Sequence, residues 1–389
     1  MPPAPSTTFE PDAPASSFEV RSSYLDQSVI GYLLYGVGAV TAFLAVLLSL
    51  SDAEAALHSA ALAAGIATAG LAGDRLDALV GARPAHALAY LLLAVASVCL
   101  ATAPAYLVTL AGAAAAGLGT GLLLAHVNRT LTRGGGTLAR VRMARAALVA
   151  MVASLSVPLV IGLGENSGIG WQLAFVPAGL LILVGLGMTR GRRDATPEVT
   201  VVSGRLPGRY WLAWWLVVLV VSVEFSIVFW ASTLVERQVG ISLGDATLVA
   251  TMFYAGMGTA RIGLSFHVVS GRDPLWLIRG SLAVALFGSL LAWATSGIEL
   301  AALGVYLGGL GTGFLYPLGV TVALSLVPGM QDRGSARLIL ASGVAILVSP
   351  LALGVAADMA GVSIGWLLVP GLCLAALALS VPVGRVRLV

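Results

Sequence analysis

The sequence contains no lysine, so all 21 of its basic residues are arginine. Charged residues of both signs make up only 10% of the chain, whereas roughly a quarter of residues are charged in soluble domains. Hydrophobic residues make up 58%, and the mean hydropathy is +0.97. A chain of this composition would expose too much apolar surface to stay dispersed in water. The composition therefore excludes an ordinary soluble globular protein.

Cysteine and histidine are also scarce, and their scarcity excludes several kinds of site. Cys99 and Cys373 fall inside predicted membrane helices and are too few for a disulfide framework or a metal site. The four histidines are scattered and share no metal-ligand spacing. A membrane-embedded enzyme would need clustered histidine or carboxylate side chains near an interface. We therefore predict that the protein is not an enzyme and that it binds no metal or other cofactor.

What the chain does contain is twelve apolar stretches, each long enough to cross a hydrocarbon core of ~30 Å as a helix. They are predicted at 28–50, 54–72, 85–103, 105–126, 143–163, 171–189, 210–232, 245–267, 275–296, 300–327, 336–357 and 364–384. Helices are favoured because backbone polar groups in lipid must be satisfied internally. The predicted fold class is an all-α integral membrane protein.

The positions of the arginines predict the orientation of these spans. If the amino terminus lies in the cytosol, all but one of the 21 arginines fall in cytosolic segments, and only Arg237 lies on the opposite side. This distribution follows the positive-inside rule for an even number of spans. We predict a protein of the cytoplasmic (inner) membrane with both termini cytosolic, including a disordered tail over 1–27 and a short tail over 385–389. The net charge of +3 then faces anionic lipid and does not indicate nucleic acid.

One glycine-rich phrase occurs twice in the chain. The letters GLGTG begin at Gly117 in the fourth predicted span and again at Gly309 in the tenth, 192 residues later. Pro158 and Pro350 are separated by the same offset, and two further matches follow at offsets of 191 and 195. Because each half has an even number of spans, both halves enter the membrane in the same orientation, as a parallel repeat. The predicted divisions are a six-helix bundle over 28–189, a cytosolic linker over 190–209 and a second six-helix bundle over 210–384.

The repeated glycines favour helix packing over phosphate binding. A phosphate-binding loop needs glycines between a strand and a helix, usually followed by lysine, and this chain has no lysine. Glycine inside a membrane helix lets two backbones approach closely, and proline bends a helix. The residues predicted to pack or bend helices are Gly117, Gly121, Gly309, Gly313, Pro158 and Pro350.

Two parallel six-helix halves joined by a basic linker resemble the major facilitator superfamily of transporters, over essentially residues 28 to 384. Between the second and third helices that family carries a motif of the form G-x-x-x-D-R-x-G-R-R. Gly70, Asp74 and Arg75 fit the first six positions, whereas the next glycine is delayed to Gly81, which is followed by Arg83. The letters SVEFSIVFWASTLVE around Glu224 also resemble sugar-permease-type members.

The resemblance implies that this motif acts as a cytosolic gate. Asp74 would lie against the positive amino-terminal end of the eleventh helix, near Gly334 and Ser335. The contact would hold the halves together on the cytosolic side and break when they open inward. The alternative is that Asp74, Arg75 and Arg83 are interfacial charges that set the topology.

Glu224 is the clearest ionisable residue inside a predicted span, about fourteen residues or roughly 20 Å into the seventh helix. An ionisable residue in the hydrocarbon costs a few kcal/mol or more, so it usually faces a cavity and has a function. Burial there favours the neutral acid, which suits a carboxyl that takes up a proton on one side and releases it on the other. The alternative is a protonated glutamic acid that holds two helices together through a hydrogen bond.

Aromatic residues on the helices that line the central path of this superfamily are candidate substrate contacts. Tyr32 and Tyr35 are separated by three residues and share one face of the first helix. Trp230 follows Glu224 on the seventh helix, and Tyr316 precedes Pro317 in the tenth. Tyrosine and tryptophan also form belts at the membrane interface, so an anchoring role is the alternative.

We predict a secondary transporter that moves a small organic solute by alternating access, with proton coupling through Glu224. Alternatives of the same fold are an uncoupled facilitator and a drug-type proton antiporter, and the alternative from another class is a transport-inactive membrane scaffold or sensor. The predicted partners are a small-molecule substrate, protons and the lipid bilayer, without nucleic acid, and the protein is predicted to be a monomer.

Overall fold

The computed structural model describes residues 15–133, 135–191, 205–265 and 273–387. Within these ranges the chain is helical and contains no strand. The linker predicted over 190–209 lies mostly outside the described residues. Successive helices cross the fold in alternate directions, so the start of α1 and the end of the twelfth helix lie on one face. We call this side the termini face and the opposite side the far face.

The first half of the chain forms six helices. Their bounds are α1 Ser17–Leu48, α2 Asp52–Val80, α3 Ala82–Thr102, α4 Tyr106–Thr132, α5 Gly136–Asn166 and α6 Phe175–Met188. A short 3-10 turn over Trp171–Ala174 precedes α6. These helices agree with the six spans predicted for the first bundle.

The second half also forms six helices. They are α7 Gly208–Val235, α8 Leu243–Ser265, α9 Pro274–Ala294, α10 in two segments Ile298–Thr312 and Leu315–Ser325, α11 Gln331–Ala360 and α12 Leu368–Arg387. Eleven of the described helices are long and apolar enough to cross a membrane. The exception is α8, which carries Asp245 and Arg261 but is 23 residues long and packs between α5 and α10.

Helix α1 begins well before the predicted start of the first span at residue 28. Ser16 and Glu19 form a capping box, in which the Glu19 amide donates to Ser16 Oγ at 3.2 Å and the Ser16 amide donates to Glu19 Oε2 at 2.8 Å. Such a box satisfies two amides that have no partner within the helix. The prediction of a disordered tail extending to residue 27 is therefore wrong for the residues from Ser17 onward, because the cap extends the helix beyond the apolar run.

The repeated glycines lie where neighbouring helices approach most closely. A methyl group on Gly117 would collide with the backbone of Leu62 in α2, and a methyl group on Gly309 would collide with the backbone of Phe253 in α8. In lipid, such close backbone approach is the main way in which helices pack. The α2–α4 pair and the α8–α10 pair therefore use the same contact.

The last glycine of the phrase shows the same correspondence between the two halves. A methyl group on Gly121 would lie 2.6 Å from the Ala69 Cβ, and one on Gly313 would lie 2.7 Å from the Ala260 Cβ. The offsets between these matched residues are 192 and 191. The sequence repeat is thus a repeat of packing geometry.

The two prolines lie inside α5 and α11, and both helices continue through them. At Pro350 two hydrogen bonds tie α11 to α7. The Trp230 indole N–H donates to the Pro350 carbonyl at 3.0 Å, and the Ser349 hydroxyl donates to the Ser222 carbonyl at 3.2 Å. The bends that we predict at Pro158 and Pro350 stay predictions.

Helices α1 and α7 meet between the two bundles and run in the same direction. A methyl group on Gly38 of α1 would lie 2.9 Å from the Val228 Cγ1 of α7, and the Tyr35–Glu224 pair lies three to four residues earlier on the same two helices. Equivalent helices with the same direction are what a parallel repeat requires.

Candidate functional site

Glu224 lies in the middle of α7, where its side chain is 5% exposed. The Tyr35 hydroxyl of α1 donates a hydrogen bond to Glu224 Oε1 at 2.7 Å. This bond joins the first bundle to the second. A buried carboxyl that is held by the opposite bundle can respond to movement between the bundles, and its protonation can in turn affect that movement.

Aromatic rings surround this pair. The Tyr35 ring stacks on Phe225 with centroids 5.7 Å apart and meets Tyr254 of α8 edge-on at 5.6 Å. The Arg261 guanidinium, also on α8, lies within electrostatic range of the Glu224 carboxyl. The site therefore combines a carboxyl, a cation and flat apolar surfaces, which can contact a small organic solute.

Tyr316 belongs to the same site. Its ring is 37% exposed although it lies in a membrane helix, and its hydroxyl lies near the Ser342 side chain and within electrostatic range of Glu224. The structure thus brings together Tyr35, Glu224 and Tyr316 among the residues predicted from the sequence.

Tyr32 and Trp230 make their hydrogen bonds elsewhere. The Tyr32 hydroxyl donates to the Ala174 carbonyl at 2.7 Å, within the first bundle. Trp230 donates to Pro350 within the second bundle and lines a cavity of about 110 Å³ at the far face, together with Thr41 and Arg237. Both side chains are buried. Their roles in substrate binding stay predictions. The hydrogen bonds of the two side chains each lie within a single bundle.

Sequence reasoning missed two residues of the site, Tyr254 and Arg261. Arg261 lies near the end of its helix, where a long side chain can extend toward the interface, so its position in the sequence does not point to this site. In the structure its guanidinium lies within electrostatic range of Glu224. Tyr254 lies two residues before Gly256, which packs against α10, but this position in the sequence does not say which side of the helix faces Glu224.

On the far face a network of charges connects the bundles. The Arg237 guanidinium binds the Asp52 carboxylate through two hydrogen bonds of 2.7 Å. Asp358 at the end of α11 accepts hydrogen bonds from the Asp52 amide at 2.7 Å and the Ala53 amide at 3.0 Å. An aspartate of the second bundle therefore caps the amino terminus of α2 in the first bundle, where negative charge is favoured. We call Asp52, Arg237 and Asp358 the far-face latch.

Close packing accompanies the latch. A methyl group on Gly354 of α11 would lie 2.7 Å from the Asp52 carbonyl. Nearer the termini face, methyl groups on Gly70 of α2 and Gly343 of α11 would meet nothing within 4 Å. The α2–α11 interface is thus closely packed at the far face.

The predicted gate motif lies at the end of α2 that is nearer the termini face. Gly81 has a φ of 90° and ends α2, a conformation that favours glycine. Arg83 donates to the carbonyls of Thr189 and Arg190 at the end of α6, within its own bundle. Arg75 is exposed, and the side chain of Asp74 lies outside the described residues. The gate therefore stays a prediction. Gly334, which the resemblance places near Asp74, accepts through its carbonyl a hydrogen bond from the Tyr210 hydroxyl at 2.6 Å.

Solved structures of transporters share this architecture over almost the whole chain. A bacterial homolog of the human lysosomal transporter Spinster, in an inward-facing and occupied conformation, matches with a TM-score of 0.73 at 14% identity, over 96% of this chain and 97% of that chain. The nucleoside transporter NupG matches with a TM-score of 0.76 at 12% identity, over 94% and 99%. A structure from work on proton-dependent oligopeptide transporters gives 0.74 at 13% identity, over 95% and 98%.

The chain has the major facilitator fold. At these identities the shared property is the fold, which confirms the predicted fold class. The solved structures named above are transporters and not enzymes. No family model and no curated protein matches the sequence. In this chain the carboxyl of Glu224 lies at the seam between the two bundles, beneath the far-face latch.

Proposed function

We propose that the protein is a secondary transporter of a small organic solute, working by alternating access and coupled to protons through Glu224. The observation that carries the proposal is the hydrogen bond between Tyr35 and Glu224, which joins the two bundles at a buried carboxyl. In a fold of two parallel repeats, sites for substrate and coupling ion lie at the repeat interface near the midplane. The major facilitator fold of the solved transporters supports the same role.

The chemistry that we propose for Glu224 is the uptake and release of one proton. When ionised, the carboxylate accepts the Tyr35 hydrogen bond and is stabilised by the Arg261 guanidinium. When a proton binds to a carboxylate oxygen, the attraction to Arg261 is lost and the neutral acid is more compatible with a closed, dry site. Substrate would contact Tyr316 and the ring faces of Tyr35, Phe225 and Tyr254.

We infer that the termini face is cytosolic, because the arginines concentrate there. The far face would then be external, and the close packing of α2 against α11 there is what we expect of an inward-facing state. The arginine of the far-face latch, Arg237, is the one basic residue that this orientation places outside.

A ligand screen tests the transporter proposal directly. The purified chain is melted in the presence of sugars, organic acids, nucleosides and amphipathic cations, and a solute that raises the melting temperature is then tested for flux in proteoliposomes. Binding to the native state stabilises it by mass action. A chain that binds solutes from these classes but carries none of them across the bilayer would favour the scaffold or sensor alternative.

Removing the Tyr35 hydroxyl is expected to weaken coupling. Tyr35→Phe deletes the donor to Glu224 while the ring contacts with Phe225 and Tyr254 remain. A hydrogen bond to a charged group contributes about 1.5–3 kcal/mol, so proton-driven uptake should fall on the order of 10- to 100-fold. The matched control is Tyr32→Phe, which deletes a similar bond within one bundle and should leave coupling unchanged. Equal losses in both variants would contradict a specific role for Tyr35.

Weakening the far-face latch is expected to favour the outward-open state. Asp358→Asn removes the charge that caps α2 and faces Arg237, and we expect the population open at the far face to rise about 3- to 10-fold. Spin labels at Leu57 and Met359, in a background without Cys99 and Cys373, report the distance between α2 and α11. The control is Asp273→Asn, since Asp273 caps α9 within its own bundle. An unchanged distance distribution in Asp358→Asn would argue against the latch.

A further inference from the structure

A cavity of about 110 Å³ lies at the far face, between α1 and α2 of the first bundle and α7 of the second. The polar side chains in its wall are Thr41, Asp52, Thr233, Glu236 and Arg237. Most of the remaining wall is apolar and includes the rings of Phe229 and Trp230. We call it the far-face cavity, and the transport mechanism proposed above assigns no ligand to it.

The wall of the far-face cavity has more negative than positive charge. The Arg237 guanidinium is engaged by Asp52 through two hydrogen bonds of 2.7 Å. The Glu236 carboxylate lies within electrostatic range of both, but it accepts no hydrogen bond from the residues that the structure describes. With both carboxylates ionised, the wall carries one negative charge in excess, and Asp358 adds another beside it.

Acidic residues also predominate over the far face as a whole. The acids at its helix ends are Asp52, Glu54, Glu165, Glu236, Asp245, Glu299 and Asp358. The one arginine assigned to this side is Arg237. A surface with a single predominant sign of charge raises the local concentration of ions of the opposite sign. The far face therefore attracts cations and repels anions.

The Thr233 hydroxyl is an independent indication of a ligand. Its side chain is 6% exposed and lines the cavity. A threonine hydroxyl in a helix can donate to a carbonyl three or four residues earlier, as Thr41 does to the Val37 carbonyl at 2.7 Å. Thr233 follows Thr41 at the repeat offset of 192, yet it makes no hydrogen bond within the described part of the chain. A buried hydroxyl without a partner is costly, and a ligand in the cavity would supply one.

Glu236 and Arg237 reach the cavity through a local change of helix type. Helix α7 ends at Val235, and the chain continues as a π-helical turn over Glu236–Gly240. Such turns are rare and occur frequently at functional sites. The two charged residues that follow α7 in the cavity wall both belong to this turn.

These features fit a small organic cation better than a metal ion. Over the described residues, no group of three or more histidine, cysteine or acidic side chains could hold a metal. A primary ammonium has three N–H donors, and the Glu236 carboxylate and the hydroxyls of Thr41 and Thr233 are acceptors in one wall. The rings of Phe229 and Trp230 offer apolar area to a short alkyl chain, and aromatic faces attract cations.

The size of the cavity limits the cation. An apolar cavity of about 150 Å³ holds benzene. A cavity of about 110 Å³ therefore suits a cation of roughly four non-hydrogen atoms. Propylammonium has this size and keeps its proton at neutral pH, as the ammonium group of lysine does.

We propose that the far-face cavity binds a small organic cation through its primary ammonium group, which contacts the Glu236 carboxylate and the hydroxyls of Thr41 and Thr233. Because the wall includes helices of both bundles, the bound cation connects them beside the far-face latch. Occupancy then stabilises the state that is closed at the far face. Glu236 follows Glu224 by about 18 Å along the helix axis, so the site is separate from the proposed coupling carboxyl.

Melting of the full chain in phosphatidylglycerol nanodiscs tests the site with propylammonium chloride. A ligand of the native state stabilises it by mass action, and we expect the melting temperature to rise by about 2 °C or more at saturation. The solute controls are sodium chloride, which reports screening by salt, and tetramethylammonium chloride, which has no N–H donor. Both should raise the melting temperature less. Equal rises in the three salts, or no rise with propylammonium, would overturn the proposal.

Four variants show where the ammonium binds. Glu236→Gln should weaken the binding of propylammonium at least about tenfold, and Thr233→Val, which keeps the shape of the side chain, about 3- to 10-fold. Glu299→Gln removes an acid from the same face but not from the cavity, and Glu224→Gln removes the buried acid between the bundles. Both should leave the dissociation constant unchanged. Weakened binding in Glu224→Gln but not in Glu236→Gln would place the ammonium beside Glu224 and overturn the proposal.

A primary ammonium can belong to a free solute or to the headgroup of phosphatidylethanolamine. Phosphatidylglycerol has no ammonium group, so the melts described above report the free solute. In nanodiscs that contain phosphatidylethanolamine, a weaker response to propylammonium in the unsubstituted chain would identify the lipid headgroup as a ligand of the same site. An unchanged response would identify the free solute as the ligand.

Discussion

Glu224→Gln is expected to abolish uphill transport while exchange of solute across the membrane remains. Glutamine keeps the size of the side chain and can still accept the Tyr35 hydrogen bond, but it cannot bind and release a proton. Without that exchange the free energy of the proton gradient has no link to the solute. The accumulation ratio of a transported solute should therefore fall to about one, while counterflow continues at a rate within about threefold of the unsubstituted chain.

The measurement uses proteoliposomes with an imposed pH gradient and a solute taken from the melting screen. Uphill uptake and counterflow are measured on the same preparation, so that a loss of folded protein lowers both. Glu299→Gln is the matched control, because Glu299 is an exposed acid in the first turn of α10. Uphill uptake that survives in Glu224→Gln would show that the protons are carried elsewhere or that the transporter is not coupled to them.

Gly309→Ala is expected to cause one of the largest losses of stability among glycine-to-alanine substitutions in the described helices. The added methyl group would collide with the Phe253 backbone of α8, which cannot rotate away as a side chain would. Overpacking of this kind costs about 1–3 kcal/mol, occasionally more. We expect Gly117→Ala to behave similarly, because it would collide with the Leu62 backbone in the equivalent interface.

Gly343→Ala is the matched control for the glycine variants. A methyl group at Gly343 meets nothing within 4 Å, and alanine is the better helix former by roughly 0.8–1.0 kcal/mol. Melting temperature and folded yield in detergent should therefore fall for Gly309→Ala and Gly117→Ala but hold or rise for Gly343→Ala. Equal behaviour of all three variants would mean that close backbone approach does not limit the stability of these bundles.

The fold could be predicted almost entirely from the sequence. Hydropathy predicts the helices, because a backbone in lipid must satisfy its polar groups internally. The repeated glycines indicate which pairs of helices pack closely. The start of α1 was predicted too late because the Ser16–Glu19 cap lies outside the apolar run. Hydropathy reports the length of a membrane span and is insensitive to a polar extension of the same helix.

The site could be predicted only in part. Glu224 and Tyr35 were found because an acid and an aromatic residue in mid-membrane are unusual on their own. Arg261 and Tyr254 were missed, and Tyr32 was grouped with Tyr35, because contacts between helices depend on how the two bundles are rotated against each other. That rotation arises from many small packing contacts, and no single short motif encodes it.

The far-face latch was beyond sequence reasoning for a related reason. Asp52, Arg237 and Asp358 are far apart in the chain, and each lies near a helix end, where a charge is ordinary. The conspicuous residue was Arg237, the one arginine assigned to the far side. In the structure Arg237 binds Asp52 across the bundle interface, and this contact accounts for an arginine on the far face.

The division of α10 into two segments makes the two halves mechanically unequal. Its counterpart α4 runs without a break from Tyr106 to Thr132, whereas α10 stops at Thr312 and resumes at Leu315. The glycine contacts anchor the segment before this joint, and Tyr316 belongs to the segment after it. In the proposed mechanism a solute that engages Tyr316 would act on the short segment Leu315–Ser325, which is joined to the rest of α10 by a break that α4 lacks.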